Sequence, residues 1–185
     1  RINEVKVILP KLLTIIDAIY LNYKNFDFYI VTLPILEDYV KKFVKNKKIK
    51  IVSNDKEKKR IMENSKLSIV ASGTVVLELA RTKTPMIVVY DSNFISALII
   101  RLMVNLKWAN LINIIRNKEV IPEFLFNKFQ ISKVISEINS LLTNKKKIDS
   151  QLSEFKKLEK VMLNNKKDPS LISLNLIEKL WKAKD

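Results

Sequence analysis

The sequence predicts an α/β domain, a Rossmann-like parallel sheet with flanking helices. Three observations carry that expectation. Short runs rich in β-branched residues alternate with stretches of helical periodicity along much of the chain. Two of those runs, "KLSIVAS" (66–72) and "TPMIVVY" (84–90), read as buried strands. The single glycine of the 185 residues, Gly73, stands between the first of them and an apparent helix start. Strands alternating with helices imply parallel pairing through right-handed crossovers.

The elements follow in order. From Glu4 to Tyr23, Val5, Ile8, Leu9, Leu12, Leu13, Ile16, Ile19 and Tyr20 recur at helical spacing, with Pro10 tolerable only in the first turns. "FDFYIVT" (26–32) reads as a strand, and Pro34 opens a helix through about Val44. "KIKIVS" (48–53) alternates like a second strand, and "NDKEKKRIMENS" (54–65) like a polar helix capped by Asn54 or Ser53. The strand 66–72, a short helix 73–82 and the strand 84–90 come next. "NFISALIIRLMVNLKWANLINII" (93–115) is the most apolar stretch. Arg101, Asn105 and Lys107 interrupt it, which argues against a membrane-spanning helix and for either a core-facing helix or an apolar surface at a membrane. From Ile131 onward the spacing is helical, ending in "DPSLISLNLIEKLWKAKD" (168–185), whose Leu171, Leu174, Ile177, Leu180 and Trp181 need a partner.

Composition narrows the chemistry. With 48% apolar and 29% charged residues, the chain can bury one core, so one domain or most of one is expected. No cysteine is present, which excludes disulfides and thiolate metal sites; no histidine is present, which removes the commonest neutral-pH base and metal ligand. No metal and no cofactor are expected. The net charge of +15 gathers in short lysine clusters such as "KNKKIK" (45–50) and "NKKKID" (144–149), without interleaved aromatics. That distribution suits a solvated surface, an anionic membrane or a phosphorylated ligand better than nucleic acid. Arg1 rather than Met opens the chain, without a signal-peptide pattern, and the expectation is a sequence that begins inside a longer protein.

Gly73 is the candidate site. In an open parallel sheet, ligands bind beyond the carboxyl ends of the strands, where helix N-termini present free amides. Gly73 would let backbone amides approach a phosphate, with the hydroxyls of Ser72 and Thr74 as further donors. Glu78 lies one turn deeper on the face of Thr74 and could accept both hydroxyls of a ribose. The plainer alternatives are that Ser72 only caps a helix and Glu78 is a solvated surface residue.

These residues carry a resemblance. Ser65 to Tyr90, with Ala71, Ser72, Gly73, Thr74, Leu77, Glu78, Pro85, Met86, Val88 and Tyr90 in step, is similar to the pattern "SDxxxxASGTxxLExxxxxxPMVVxY" of the lipid-A-disaccharide synthase family. Arg1 to Val5 with Leu9 and Pro10 resembles that family's "GSRxxEI" running to "LLP". "NLINIIRNKEVIPEFLFNKF" (110–129) resembles its "LPNLLxxxxxVPELLQ", with Asn113, Pro122 and Glu123 on matching positions. Together these span nearly the whole chain in the family's order.

The resemblance implies the C-terminal half of a two-domain GT-B glycosyltransferase, lacking its first strand. It implies residues 1–145 as an N-terminally truncated UDP-sugar-binding domain and 146–185 as helices packing on the missing domain or a partner chain. It implies an inverting transfer of 2,3-diacylglucosamine from UDP to 2,3-diacylglucosamine 1-phosphate at the cytoplasmic face of the bacterial inner membrane. A homodimer through the C-terminal helices and no nucleic-acid partner also follow. Arg1, Ser72, Gly73 and Thr74 would hold the diphosphate and Glu78 the ribose. Asn113 would lie near the reacting sugar, though an Asn in a loop is often a turn former, and the general base would lie in the missing domain. Lys118 and Glu123 would touch substrate or nucleotide, with helix capping the other reading of Glu123. This sequence departs from the family's pattern at Lys66 for an aspartate, Asp91 for a basic residue, Lys118 for an arginine and Phe126 for a glutamine. A stand-alone basic module that binds nucleotides or nucleic acid without catalysis is the alternative.

Overall fold

The computed structural model describes residues 2–44, 48–71, 73–91 and 107–162. Helix α1 (Ile2–Asn22) leads to strand β1 (Phe28–Val31), α2 (Pro34–Phe43), β2 (Ile49–Val52), α3 (Asp55–Asn64), β3 (Ser68–Ala71), α4 (Val75–Arg81) and β4 (Met86–Tyr90). After residues 92–106 come α5 (Leu111–Arg116), β5 (Glu123–Leu125), a 3-10 turn, α6 (Ile131–Thr143) and α7 (Lys145–Met162).

Among the described residues all pairing is parallel, as the alternation of strands and helices implies, but the strands divide into two sheets. β1 pairs with β2, Phe28 opposite Ile49, and β3, β4 and β5 form a second sheet in that order. Ala71 stands opposite Val89, and Tyr90 opposite Leu125. Where one sheet was expected, no ladder joins the two among the described residues. The third strand of the larger sheet, β5, was not expected either. Its three residues are too few to show a period of two.

β4 is the centre of the structure. Met86, Ile87, Val88 and Val89 are all essentially inaccessible, and their side chains alternate between two cores. Met86 and Val88 face Val76 and Leu79 of α4, Ile112 of α5, Ile121, and Phe155 and Leu158 of α7. Ile87 and Val89 face Ile8, Ile15 and Ile19 of α1 and Val134, Ile138 and Leu141 of α6. A third core lies between the smaller sheet and α1 and α2, built from Leu9, Leu13, Val40 and Val44 with Ile30, Ile49 and Ile51 around it. Helix α1 therefore feeds two cores from adjacent positions.

Pro10 lies inside α1, two turns from its start, beyond the first turns where it was expected to be tolerated. Its ring forfeits one backbone hydrogen bond, a loss of about 3 kcal/mol in an isolated helix interior. The five buried residues Ile8, Leu9, Leu13, Ile15 and Ile19 offset it, each contributing about 1.5–3 kcal/mol when fully buried.

Helix α7 belongs to the same core. Besides Phe155 and Leu158, the buried Gln151 accepts from Met86 N at 2.8 Å and donates to Met86 O at 3.0 Å and Val120 O at 3.3 Å. The amide thus satisfies main-chain groups at the entry of β4 and in the segment leading to β5. Residues 145–162 are thereby joined to the α/β unit, across the boundary expected at residue 145. The terminal helix expected over 168–185 and most of the apolar stretch 93–115 lie outside the described residues.

Candidate functional site

The register fixes what shares the carboxyl edge of the larger sheet. Gly73 and Asp91 each lie two residues past the paired positions Ala71 and Val89, and Phe126 follows Leu125, the partner of Tyr90. Gly73, Asp91 and Phe126 therefore stand at one level across three neighbouring strands.

Gly73 and Thr74 are exposed there. The glycine has no positive φ, and a Cβ built on it would meet nothing within 4 Å. Neither backbone conformation nor internal packing requires a glycine at this turn. Thr74 begins α4 in helical conformation, and its side chain makes no capping hydrogen bond. Its carbonyl accepts from Leu77 N at 3.0 Å, which closes the first turn. Glu78 projects from that turn, nearly half exposed, with Oε2 2.7 Å from Lys58 Nζ on α3. Gly73, Thr74 and Glu78 thus come together as expected, while Arg1 and Ser72 lie outside the described residues.

At β4, Lys11 Nζ of α1 lies 2.5 Å from Asp91 Oδ2 and 4.9 Å from the centre of the Phe129 ring. Tyr90 donates its hydroxyl to Glu4 at 3.3 Å, and its ring meets Phe126 edge-on with centroids 5.7 Å apart. Phe126 has φ 52°, a left-handed conformation that strains any residue with a Cβ. Strain of this kind at a strand's carboxyl end is a recurrent property of binding sites.

Of the other three expected site residues, Asn113 and Glu123 share a network of their own. Asn113 is fully buried. Its carbonyl oxygen accepts from Val120 N at 2.8 Å and Ile121 N at 2.9 Å, and its amide nitrogen donates to Ile121 O at 2.8 Å and Glu123 Oε1 at 3.1 Å. All four hydrogen-bonding positions of that amide are filled from within the chain, so Asn113 shapes the 117–121 turn. Glu123 accepts from Ala109 N and Asn110 N, both at 2.9 Å, and from the Asn110 side chain. Of its two expected roles, these are the bonds of the helix-orienting one. Asn110, which sequence reasoning missed, caps α5 by accepting from Asn113 N at 3.0 Å. The signal was present: an Asn directly before the apolar "LINII" is a helix start.

Lys118 extends to α7, where Nζ lies 3.0 Å from Glu154. Arg116 Nε at 2.9 Å and Lys157 Nζ at 2.8 Å complete a triad of cations around that carboxylate. Hydrogen bonding from Lys157 foremost, then from Lys118 and Arg116, outweighs burial and holds the Glu154 pKa down at about 2. Glu154 and Gln151 were not expected. Both fall on the stripe of Phe155 and Leu158, and polar residues on an apolar stripe are the pattern that would have marked them.

Among the described residues, no group of three or more carboxylates is placed to hold a metal ion, and no helix is long and apolar enough to cross a membrane.

Against known proteins, the family model described as lipid-A-disaccharide synthetase matches residues 1–175. A lipid-A-disaccharide synthase of Rickettsia canadensis (strain McKiel) is 33% identical over 180 residues, 96% of this chain and 46% of the relative. That of Rickettsia felis (strain ATCC VR-1525 / URRWXCal2) is 33% identical over 196 residues, covering all of this chain and 50% of the relative. That of Rickettsia conorii (strain ATCC VR-613 / Malish 7) is 37% identical over 125 residues, 68% of this chain. The chain spans about half the length of the curated relatives it matches across almost all of its own residues.

Proposed function

The chain belongs to the lipid-A-disaccharide synthase family, and from that premise we propose that it is the nucleotide-sugar-binding part of an enzyme that joins two acylated glucosamines. In this reading, UDP-2,3-diacylglucosamine binds at the carboxyl edge of β3 and β4. The 6-hydroxyl of 2,3-diacylglucosamine 1-phosphate attacks its anomeric carbon with inversion, and UDP leaves with the electron pair of the broken bond. The products are lipid A disaccharide 1-phosphate and UDP.

The observation that carries the reading is Gly73. It is the only glycine in the sequence, it stands just past the carboxyl end of β3, beside the central strand β4, and nothing in its backbone or surroundings requires it. A position kept free of a side chain for no internal reason suits the close approach of a ligand. Gly73 and Thr74, with Ser72 and Arg1, hold the diphosphate in this proposal. Backbone amides and the Arg1 guanidinium there supply fixed positive charge as the leaving group develops its own. Glu78 takes the ribose hydroxyls. Asn113, Glu123 and Lys118 act from behind, through the turn and helix they hold, and the general base is contributed from outside this chain.

The acylated substrates place the working enzyme on the cytoplasmic face of the inner membrane. Leu111, Ile114 and Ile115 of α5 are exposed near Lys107, Arg116 and Lys118, a combination that suits peripheral contact with anionic lipid. In the sequence, the spacing of Leu171, Leu174, Ile177, Leu180 and Trp181 suits a homodimer or packing on another domain.

Calorimetric titration tests the central claim. UDP is expected to bind more tightly than ADP, and Glu78→Ala to weaken the binding of UDP by removing the acceptor of its ribose hydroxyls. Equal, strongly salt-dependent binding of UDP, ADP and nucleic acid would replace the reading with a general polyanion-binding module.

A further inference from the structure

Helix α3 carries four basic residues, Lys56, Lys58, Lys59 and Arg60. Lys59 pairs with Glu63 of its own helix at 3.9 Å, whereas Lys58 reaches out of the helix to Glu78 of α4 at 2.7 Å. Its base is well fixed. Asn54 caps α3 by accepting from Glu57 N at 2.8 Å, Lys58 N bonds the Asn54 carbonyl at 3.0 Å, and Ile61 and Met62 bury the far end of the helix.

We propose that Lys58 is a positioning residue for Glu78, holding the carboxylate by Oε2 so that Oε1 is presented to the ribose hydroxyls of a uridine nucleotide. The inference rests on the reading of Glu78 as the ribose acceptor. Its physical basis is charge. A diphosphate at Gly73 and Thr74 and a carboxylate one helical turn away repel each other, and the repulsion grows as the ligand displaces water. The Lys58 ammonium cancels that repulsion and confines the carboxylate to one rotamer, whereas unpaired it would swing away from the anion. An exposed ion pair of this kind adds little to folding, so its placement between two helices beside the turn is better explained by what it orients. Asp91 is treated alike, by Lys11 from α1, and both carboxylates next to Gly73 thus carry a lysine from a neighbouring helix.

The test is calorimetric titration of the full chain with UDP and with 2′-deoxy-UDP, for the wild type and the K58M, K58R and E78A variants, with thermal unfolding as the check on folding. The wild type is expected to prefer UDP about tenfold, the difference made by a hydroxyl with a dedicated acceptor. K58M is expected to reduce the preference below about threefold, K58R to keep most of it, and E78A to erase it. If E78A erases the preference while K58M retains it in full, the positioning role is overturned and the ribose reading stands. If E78A retains the preference, or UDP is not bound, the ribose reading fails and this inference fails with it.

Discussion

Replacing Gly73 by alanine is expected to raise the thermal midpoint of the chain while weakening its hold on UDP. The backbone there has no positive φ, and the added methyl would meet no atom within 4 Å. The folded state therefore accepts alanine without strain, while the unfolded chain loses conformational freedom. Such a substitution stabilises by about 0.4–1 kcal/mol, or roughly 1–4 °C for a chain of this size. The space that the methyl fills is the space through which a phosphate would approach the amides at Gly73 and Thr74. Loss of one or two charge-assisted hydrogen bonds would weaken UDP binding about 10- to 100-fold. Differential scanning calorimetry and titration with UDP on one preparation read both quantities. A midpoint lowered by several degrees would show that the fold needs the glycine, and an unchanged affinity would show that the open space is not the ligand's. Either result removes the argument built on Gly73.

Asn113→Ala is expected to destabilise by about 3 kcal/mol or more, because it strands the amides of Val120 and Ile121 and the carbonyl of Ile121 in the interior; a thermal midpoint lowered by less than about 3 °C would refute the role assigned to it. Gln151→Leu, close in volume, is expected to lower stability by about 2 kcal/mol through the unpaired main-chain groups of Met86 and Val120, and an unchanged urea midpoint would count against the link between α7 and the sheet. For Glu154, the folded pKa of about 2 lies below the ordinary 4.5, so its stabilisation is complete above about pH 4.5 and fades as the pH falls toward 2. Its lysine partners are about half exposed, which reduces the expected stabilisation to about 1–2 kcal/mol. Unfolding of the wild type and of Glu154→Gln should therefore differ by that amount at neutral pH and converge near pH 2; a constant difference across the range would refute the assignment.

Much of the fold is legible because burial leaves a direct pattern. "MIVVY" is apolar at every position because β4 is covered on both faces, and Asn54 is a readable cap because the residues behind it are polar and helical. The division into two sheets is not legible. Pairing between parallel strands depends on main-chain groups that every residue carries, so β1 and β3 look alike as partners whether or not they touch. The tolerance of Pro10 two turns into α1 was not legible for a related reason: local propensity opposes it, and only the burial of α1 in two cores overrides that preference. At the candidate site, the spacing of Thr74 and Glu78 put both on one helix face. The closed network of Asn110, Asn113 and Glu123 was not apparent, since thirteen positions and a strand boundary separate its ends.

The sharing of α1 between two cores has a consequence for the order in which the protein is made. The third core needs only α1, β1, α2 and β2, all within the first 52 residues, so it can form while synthesis continues. The core on the far side of α1 needs Val134, Ile138 and Leu141, more than a hundred residues later. Until they emerge, Ile8, Ile15 and Ile19 lack that part of their cover on a helix that is already docked by its other side. At about 5–20 residues per second, that interval lasts several seconds to tens of seconds. The nascent chain thus passes through a stage in which a half-finished helix displays an isoleucine stripe, and a chaperone that recognises such stripes has that interval in which to bind it.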